Sequence, residues 1–325
     1  MHQLSSGGTM SPGPPQPELD QALAASGSGR ATGVLRLGEM PGGHSIDVPF
    51  TVLRGREPGP VVWIMAARDG DEVHATLVAM DLQRRLEPSA LRGSLIVMPI
   101  GNVPGFGVLS REHPLGQTYL EREMDERFFE ILSAHGGSFI DLHSAGVPSD
   151  TVDWTLYVEG DETAIAMARA YGSPFVYAHR MGAGEGLDAG LLDGALFARL
   201  SRAGIPSILI EAGGGLPPSP ETVRRAVSGV ENALHALGSI PAEPTPTREP
   251  EVLRGFRIVA PIRGGLLEEV SRLGDRVEPG QVLGRIIDPY GDLVEEILAP
   301  VGGVVLTVPA NPAVGTGTWA YEIGW

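Results

Sequence analysis

The amino-acid sequence predicts an α/β domain, built on a mixed but mostly parallel sheet covered by helices, followed by a small β-domain. Three observations carry this prediction. Between residues 30 and 240, apolar runs alternate with amphipathic segments of helical period. Residues 241–251, "PAEPTPTREPE", have the prolines and charges of an exposed linker. From residue 252 to 325, short apolar stretches are separated by Gly and Pro turns, which favours a β-sandwich or barrel.

Residues 1–29 precede these elements and begin "MHQLSSGGTMSPGPPQPE". The segment is rich in Gly, Pro and Ser and has no apolar core of the kind found in secretory signals. We therefore predict a disordered leader and, by default, a cytoplasmic protein.

The strands and helices of the larger domain can be placed from their apolar patterns. Five near-continuous apolar runs are predicted strands, at 61–66, 94–100, 138–143, 155–159 and 207–212. Five segments are predicted helices, at 74–86, 124–135, 161–171, 192–204 and 219–237. The last helix opens with Ser219 as a predicted N-cap and Pro220 at its first position. Such strands are typical of a sheet buried on both faces, where ligands bind beyond the carboxyl ends of the strands.

The β-domain contains an internal echo. "APIRGGLLEEV" at 260–270 is similar to "APVGGVVLTV" at 299–308, which indicates two related halves. The domain resembles biotinyl and lipoyl carrier domains, but it has no lysine to modify. We expect it to form one wall of the active-site mouth or a contact in a homo-oligomer.

Composition excludes several function classes. The formal charge of −16 argues against a nucleic-acid partner, and no apolar run is long enough to cross a membrane. All 24 basic residues are arginine, so a pyridoxal Schiff base and a P-loop lysine are excluded. Without cysteine, thiol catalysis is excluded and any metal site must use His, Asp or Glu.

Polar residues stand at the ends of three predicted strands. They are Asp69, Asp71 and Glu72, then Asp141, His143 and Ser144, and finally Glu211 before three glycines. If the strands are parallel, these ends converge on one edge of the sheet. Each group also has a structural interpretation: Asp69 or Asp71 could cap a helix, and Glu211 could pair with a buried arginine. Together, however, they have the composition of a metal-assisted hydrolase site.

Several motifs in the same order resemble the succinylglutamate desuccinylase/aspartoacylase family, relatives of the zinc carboxypeptidases. The matching stretches are "DGDE" (69–72), "NVPGF" (102–106), Arg111, "YLER" (119–122), "DLHS" (141–144) and "EAGGG" (211–215). The resemblance extends from about residue 30 to 325 and implies a zinc-carboxypeptidase-like sheet in residues 30–240.

The resemblance also implies roles for individual residues. Glu72 and His143 would bind Zn²⁺, and Glu211 would be the general base that activates water. Arg111 would polarise the scissile carbonyl and stabilise its oxyanion. Asp141, two residues before His143 on the same strand face, would orient the His143 ring.

Position 69 departs from the family pattern, which has a histidine ligand there. Aspartate also binds zinc, so we expect a site of Asp69, Glu72 and His143. This more anionic site would accept Zn²⁺ or another divalent ion. The alternative is a metal site that has been weakened or lost.

A second departure concerns substrate binding. The predicted substrate-binding residues are Asn102, His113, Glu121 and Arg122. Glu121 replaces the family's asparagine, and a glutamate there would repel a carboxylate and favour an amine. Alternatively, Glu121 and Arg122 form a solvent-exposed pair near the start of a helix.

Three hypotheses follow for the function. The first is a metal-dependent deacylase that hydrolyses the amide bond of a small N-acyl amine or amino-acid derivative. The second is a diverged family member that uses acid/base chemistry for an elimination, cyclisation or acyl transfer. The third is a non-enzymatic binding protein, which would have little need of Arg111, His143 and Glu211 together.

Overall fold

The computed structural model describes residues 15–40, 42–112, 119–182, 192–241 and 243–325. Its helices are α1 (Pro17–Ala24), α2 (Val73–Arg85), α3 (Val103–Phe106), α4 (Tyr119–His135), α5 (Glu162–Tyr171), α6 (Leu196–Arg202) and α7 (Pro220–Ala236), with a short 3-10 turn at Pro88–Ala90. The strands of the larger domain are β1 (Gly29–Glu39), β2 (Ser45–Arg54), β3 (Glu57–Ala66), β4 (Arg92–Met98), β5 (Ser138–His143), β6 (Ser149–Thr151), β7 (Trp154–Val158), β8 (Phe175–His179), β9 (Ser207–Glu211) and β10 (Glu251–Leu253).

Nine of these strands form one sheet, in the order β1-β2-β4-β3-β5-β9-β7-β8-β10. Five of its eight pairings are parallel, and the β1–β2, β2–β4 and β7–β9 pairings are antiparallel. The predicted mixed, mostly parallel sheet is therefore confirmed. The three strands that end in candidate site residues, β3, β5 and β9, are adjacent and parallel.

Successive residues of the central strands are buried on opposite faces of the sheet. On β3, Trp63 and Met65 belong to one hydrophobic cluster, while Val62 and Ile64 belong to the other. All four are fully buried. Burial on both faces explains why these strands show no polar alternation in the sequence. Among the described residues, no helix is both long and apolar enough to cross a membrane.

Helices α5 and α7 begin where a side chain accepts a hydrogen bond from a backbone N–H of the first turn. The Ser219 hydroxyl accepts from the Thr222 N–H at the start of α7, as predicted, and the Asp161 carboxylate accepts from the Ala164 N–H at the start of α5. Gly172 ends α5 in the left-handed conformation that glycine adopts without strain. These caps fix the helices that cover the sheet.

The prediction of a disordered leader over residues 1–29 is wrong for its described part. Residues 17–24 form α1, and Leu19 of this helix is fully buried in the hydrophobic cluster that also contains Trp63 and Met65. Because the residues before α1 are rich in Gly and Pro, the sequence did not indicate this short helix, which packs on β1 and β2. Residues 1–14 lie outside the described part of the chain.

The first two strands were not predicted, and Pro49 is one reason. Proline inside a run argues against a central strand, because it removes a ladder N–H. Here Pro49 pairs only with Val34 of β1, since the pairing of β2 with β4 is confined to residues 51–54. At Pro49 the strand is therefore paired on one side only.

The β-domain consists of two small antiparallel sheets. Its strands are β11 (Phe256–Val259), β12 (Gly265–Glu269), β13 (Arg276–Val277), β14 (Val282–Ile287), β15 (Leu293–Leu298), β16 (Gly303–Pro309), β17 (Ala313–Val314) and β18 (Tyr321–Gly324). One sheet has the order β11-β18-β16-β13, and the other has the order β15-β14-β12-β17. The two echoed sequence segments supply β12 and β16, one to each sheet.

Two strands cross the predicted boundary between the domains. β6 of the larger domain pairs with β16, and β10 pairs with β8 in the large sheet. The linker stretch is also anchored, because the Asn232 side chain exchanges two hydrogen bonds with the backbone of Thr245. These strand pairings fix the β-domain against the edge of the sheet where β5 and β9 end.

Candidate active site

The site is built where β3, β5 and β9 end. His143, the last residue of β5, is in register with Glu211, the last residue of β9. Asp69 and Glu72 lie in the turn that follows β3, and Glu72 is the residue before α2. The convergence expected from parallel strands is observed for these four residues.

Asp69, Glu72 and His143 form a group that could hold a metal ion. One ligand atom from each lies within 4.8 Å of the others, and all three residues are buried. His143 Nδ1 is 3.1 Å from Glu72 Oε1 and 3.6 Å from Asp69 Oδ2. Tetrahedral coordination with zinc–ligand bonds of 2.0–2.2 Å places neighbouring ligand atoms about 3.4 Å apart. The two measured separations lie on either side of that value.

An unsatisfied polar atom at the group also fits a cation. Glu72 Oε2 is buried and accepts no hydrogen bond from the described residues, whereas Asp69 Oδ2 has the Arg111 guanidinium 2.7 Å away. Buried carboxylate oxygens without a donor are costly unless a cation compensates them. Two carboxylates and one imidazole are ligands that Zn²⁺ accepts in proteins. The donor set therefore fits a divalent ion.

Asp69 is also paired with two arginines. Arg111 Nη2 lies 2.7 Å from Asp69 Oδ2, and Arg68 Nη1 lies 3.7 Å from Asp69 Oδ1. Burial alone would raise the pKa of Asp69, but Arg111 and the His143 ring hold that pKa well below its usual range. The carboxylate is thus ionised and shared between the arginines and the metal-ligand group.

Glu72 and Glu211 have raised pKa values. Burial raises the pKa of Glu72 well above its ordinary value, and burial raises that of Glu211 to about 7. Burial would lower the pKa of His143, but Glu72 and Asp141 hold it well above its ordinary value. Metal binding requires an ionised Glu72 and a neutral His143, so an ion at this 3.1 Å pair would compete with protons for both side chains.

Close packing of backbone holds Arg111 beside the metal-ligand turn. The Gly70 N–H donates to the Arg111 carbonyl at 3.1 Å. A Cβ at Gly70 would lie 2.3 Å from the carbonyl carbon of Gly105 and 2.5 Å from the Ser110 oxygen. Only glycine allows the 102–111 loop to approach so closely. The turn begins at Ala67, whose φ of 47° is unusual for a residue with a side chain.

A cavity of about 490 Å³ opens beside this turn. Its lining includes Asp69, Asp71 and Arg111 from the larger domain and Thr318 and Trp319 from the β-domain. The Arg111 guanidinium lies 5.5 Å from the centre of the Trp319 ring. The β-domain thus contributes one wall of the cavity, as expected from the sequence.

A second, smaller cavity of about 60 Å³ reaches Glu211. Glu322 of β18 lines it, and Glu322 accepts a hydrogen bond of 2.7 Å from the Thr307 hydroxyl. The negative charge of Glu322 adds to the effect of burial on the pKa of Glu211.

The other predicted site residues are distributed as follows. Asp141 Oδ1 lies 3.2 Å from His143 Nε2, although the alignment is not that of a hydrogen bond. Asn102 lines the larger cavity, but its side-chain oxygen caps α3 by accepting from the Gly105 N–H. Arg122 is exposed on α4 and does not line that cavity. His113 and the side chain of Glu121 lie outside the described residues.

The helix-capping interpretation of Asp69 and Asp71 is wrong. The residue at the N-cap of α2 is Glu72, and no side chain caps this helix. Asp71 instead accepts a hydrogen bond from the Val147 N–H at 3.3 Å. His74 does not belong to the metal-ligand group, and its Nε2 accepts from the Ser219 N–H.

Sequence reasoning missed four residues around the site. Arg68 donates to Asp125 of α4 at 3.0 Å, and both line the larger cavity. Trp319 and Glu322 come from the β-domain. Arg68 could have been noticed because it adjoins Asp69, whereas no local pattern marks the other three.

Comparisons with known proteins agree with this architecture. A model of the succinylglutamate desuccinylase/aspartoacylase catalytic domain matches residues 58–237, more than half of the 325-residue chain. An N-alpha-acetyl-L-2,4-diaminobutyric acid deacetylase of Halomonas elongata is 27% identical over 266 residues, 75% of each chain.

Two solved structures share the fold over nearly the whole chain. The ectoine utilization protein EutE (DoeB) of Ruegeria pomeroyi, in a product-bound structure, has a TM-score of 0.78 at 22% identity, covering 93% of this chain and 96% of that one. A succinylglutamate desuccinylase from Silicibacter sp. TM1040 has a TM-score of 0.79 at 20% identity, with the same coverage. Because this family model matches more than half of the chain, the chain belongs to the succinylglutamate desuccinylase/aspartoacylase family, whose relatives named deacetylase and desuccinylase are hydrolytic enzymes of the amidohydrolase type.

Proposed function

We propose that this chain is a metal-dependent deacylase that removes the acyl group from a small N-acyl amine or amino-acid derivative. The observation that carries the proposal is the buried group of Asp69, Glu72 and His143 beside Glu211. Zn²⁺ is the proposed ion, held by these three residues. A divalent ion bound there would supply Lewis acidity that lowers the pKa of water to about 7.

Glu211 is the proposed general base. Its register pairing with His143 places it next to the metal-ligand group. Burial and the nearby charge of Glu322 raise its pKa to about 7, close to the operating range of an efficient base. In the proposed reaction Glu211 takes a proton from the attacking water and gives it to the departing amine. The products are a carboxylate and a free amine.

Arg111 is the proposed oxyanion stabiliser. Its guanidinium has five N–H donors, so the contact with Asp69 leaves donors free to face the cavity that it lines. A fixed positive charge at this position would stabilise the negative oxygen that develops as water adds to the carbonyl. Asp141, close to His143 Nε2, is proposed to hold the ring in the orientation that presents Nδ1.

The proposed substrate is small. A cavity of about 490 Å³ accommodates an acylated amino acid but not a folded protein segment. The deacetylase of Halomonas elongata acts, by its name, on N-alpha-acetyl-L-2,4-diaminobutyric acid. We therefore propose N-acetylated diamino acids as the first compounds to test.

The Asp69–Arg111 pair favours a second candidate. If this 2.7 Å ion pair excluded a metal, then Asp69, His143 and Glu211 would remain as acid and base groups for a non-hydrolytic reaction. Under this alternative, activity would be independent of divalent ions.

The experiment measures release of acetate from N-α-acetyl-2,4-diaminobutyrate and of succinate from N-succinylglutamate. Glu211→Gln should lower kcat by about 10²–10⁴-fold, because it removes the general base. Glu221→Gln, an exposed position at the start of α7, is the matched control and should leave kcat unchanged. Undiminished turnover by Glu211→Gln would refute the proposed role of the base.

A further inference from the structure

Asp71 is a buried carboxylate with no role in the proposed reaction. It is only 5% exposed, and its Oδ1 has no hydrogen-bond partner among the described residues. Its Oδ2 makes one long contact, accepting from the Val147 N–H at 3.3 Å. A buried carboxylate oxygen without a donor costs free energy unless a ligand satisfies it.

The carboxylate lines the larger cavity, and the chain makes space for it there. Asp71 is part of the cavity wall, together with Ala145 and Pro148 of the neighbouring loop. Between these two lies Gly146, where a Cβ would come within 2.4 Å of Asp71 Oδ2. Gly146 also has a φ of 71°, which strongly favours glycine. The loop is therefore shaped around the carboxylate.

Asp71 makes no ion pair with a described residue, and the positive charge that acts on it, that of Arg111, belongs to a guanidinium already paired with Asp69. Arg68 is paired with Asp125 and Asp69, and Arg111 is paired with Asp69. In the described part of the chain, no arginine or histidine is paired with Asp71. The carboxylate at the cavity wall therefore has no ion-pair partner of its own in the described part of the chain.

We propose that Asp71 is a specificity-determining residue that binds the ammonium group of a substrate carrying a free amine in addition to its acylated one. This inference rests on the proposed deacylase function and names the substrate class of that site. An ammonium group would give the orphan Oδ1 a charged donor. A substrate without the amine would leave the carboxylate buried and unpaired, and would be rejected for that reason.

The test compares two substrates that differ only in the amine. N-α-acetyl-2,4-diaminobutyrate carries it, and N-α-acetyl-2-aminobutyrate does not. The protein should prefer the first by at least about tenfold in kcat/KM, and Asp71→Asn should bring that ratio close to one. Glu112→Gln removes a carboxylate from the exposed rim of the same cavity and should keep most of the preference, because water screens its charge.

Two results would overturn the inference. One is a wild-type protein with no preference for the amine-bearing substrate, a measurement that needs no variant. The other is an Asp71→Asn protein that is folded, by an unchanged melting temperature, and retains the full preference. Asp71→Ser provides a second variant if Asp71→Asn does not fold.

Calorimetry separates this inference from the proposed function. The deacylated compounds 2,4-diaminobutyrate and 2-aminobutyrate are titrated into the wild type and into Asp71→Asn. If the wild type hydrolyses neither acetylated compound but binds 2,4-diaminobutyrate more tightly, and loses this in Asp71→Asn, the inference stands and the deacylase function fails. Equal binding of both compounds by the wild type overturns the inference.

Discussion

Asp69 lies between two arginines and the two other residues of the metal-ligand group. Its Oδ2 is 2.7 Å from Arg111 and 3.6 Å from His143 Nδ1, so one oxygen faces both a guanidinium and the position where an ion would bind. An arginine that draws on the same oxygen weakens it as a ligand. At this position the family pattern has a histidine, whose neutral ring would not pair with Arg111 in this way.

Replacing Asp69 with histidine should therefore strengthen zinc binding. We expect Asp69→His to lower the zinc Kd by at least about tenfold, equivalent to about 1.4 kcal/mol. The measurement is competition with a chromophoric chelator. Asp292→His, on an exposed turn of the β-domain, controls for adding a histidine. An unchanged or higher Kd in Asp69→His would mean that the aspartate is the better ligand in this setting.

Glu211 gives the metal-free protein a pH-dependent stability. Its pKa rises from an ordinary value near 4.5 to about 7 in the folded state. The folded state therefore holds this proton more tightly, and the contribution of Glu211 to the free energy of unfolding declines as pH rises from about 4.5 to about 7. Glu211→Gln is neutral at every pH and removes this decline.

The check is chemical denaturation in the presence of a chelator at pH 5 and pH 8. The free energy of unfolding of Glu211→Gln should exceed that of the wild type by more at pH 8 than at pH 5. Equal differences at the two pH values would show that Glu211 is not held in a desolvated position.

At the scale of the elements, strands β3, β5 and β9 were predictable because short, nearly continuous apolar runs are typical of buried strands. Their polar terminal residues marked the site. The loops were not predictable in the same way. That Asp71 faces the 146–147 loop depends on a contact between segments that lie far apart in the sequence, whereas the cap of α3 is a local bond from the Gly105 N–H to Asn102 that the sequence analysis did not predict.

Replacing Gly70 tests the contact between the metal-ligand turn and the 102–111 loop. In Gly70→Ala, the new Cβ would meet backbone atoms of Gly105, Phe106 and Ser110, so the loop must move. We expect a loss of about 1–3 kcal/mol in the free energy of unfolding, together with a fall in kcat as Arg111 shifts. Denaturant titration and steady-state kinetics measure the two effects.

Gly107→Ala is the matched control for that substitution. A Cβ at Gly107 would make ordinary contacts at 3.6 Å, and the residue is exposed and has a helical φ of −62°. Its stability should stay within about 0.5 kcal/mol of the wild type. If Gly70→Ala were equally harmless, the two loops would not be held together as described.

At the scale of the whole molecule, the β-domain completes the site. Its strand β16 pairs with β6 of the larger domain, and its Trp319 ring lies against the Arg111 guanidinium. The sequence suggested this role only in outline, because short strands with Gly and Pro turns do not reveal which loop faces the neighbouring domain. The identity of Trp319 and Glu322 as site residues required the packing of the two domains.

Removing the Trp319 ring should reduce activity without unfolding the protein. An exposed cation–π contact is worth about 0.5–1 kcal/mol, so Trp319→Ala should lower kcat/KM by about two- to fivefold. Trp325→Ala is the control, since Trp325 is equally exposed at 37% but does not line the cavities. Equal activity losses in the two variants would argue against a specific role for Trp319.

The central claim is that Asp69, Glu72 and His143 hold a divalent ion that the deacylase reaction requires. The most direct measurement is acetate release from N-α-acetyl-2,4-diaminobutyrate after exhaustive chelation, followed by titration with Zn²⁺. The account predicts that chelation abolishes activity and that one equivalent of Zn²⁺ per chain restores it, but not in His143→Ala. Full activity in the chelated wild-type protein, with no bound metal detected, would contradict the account.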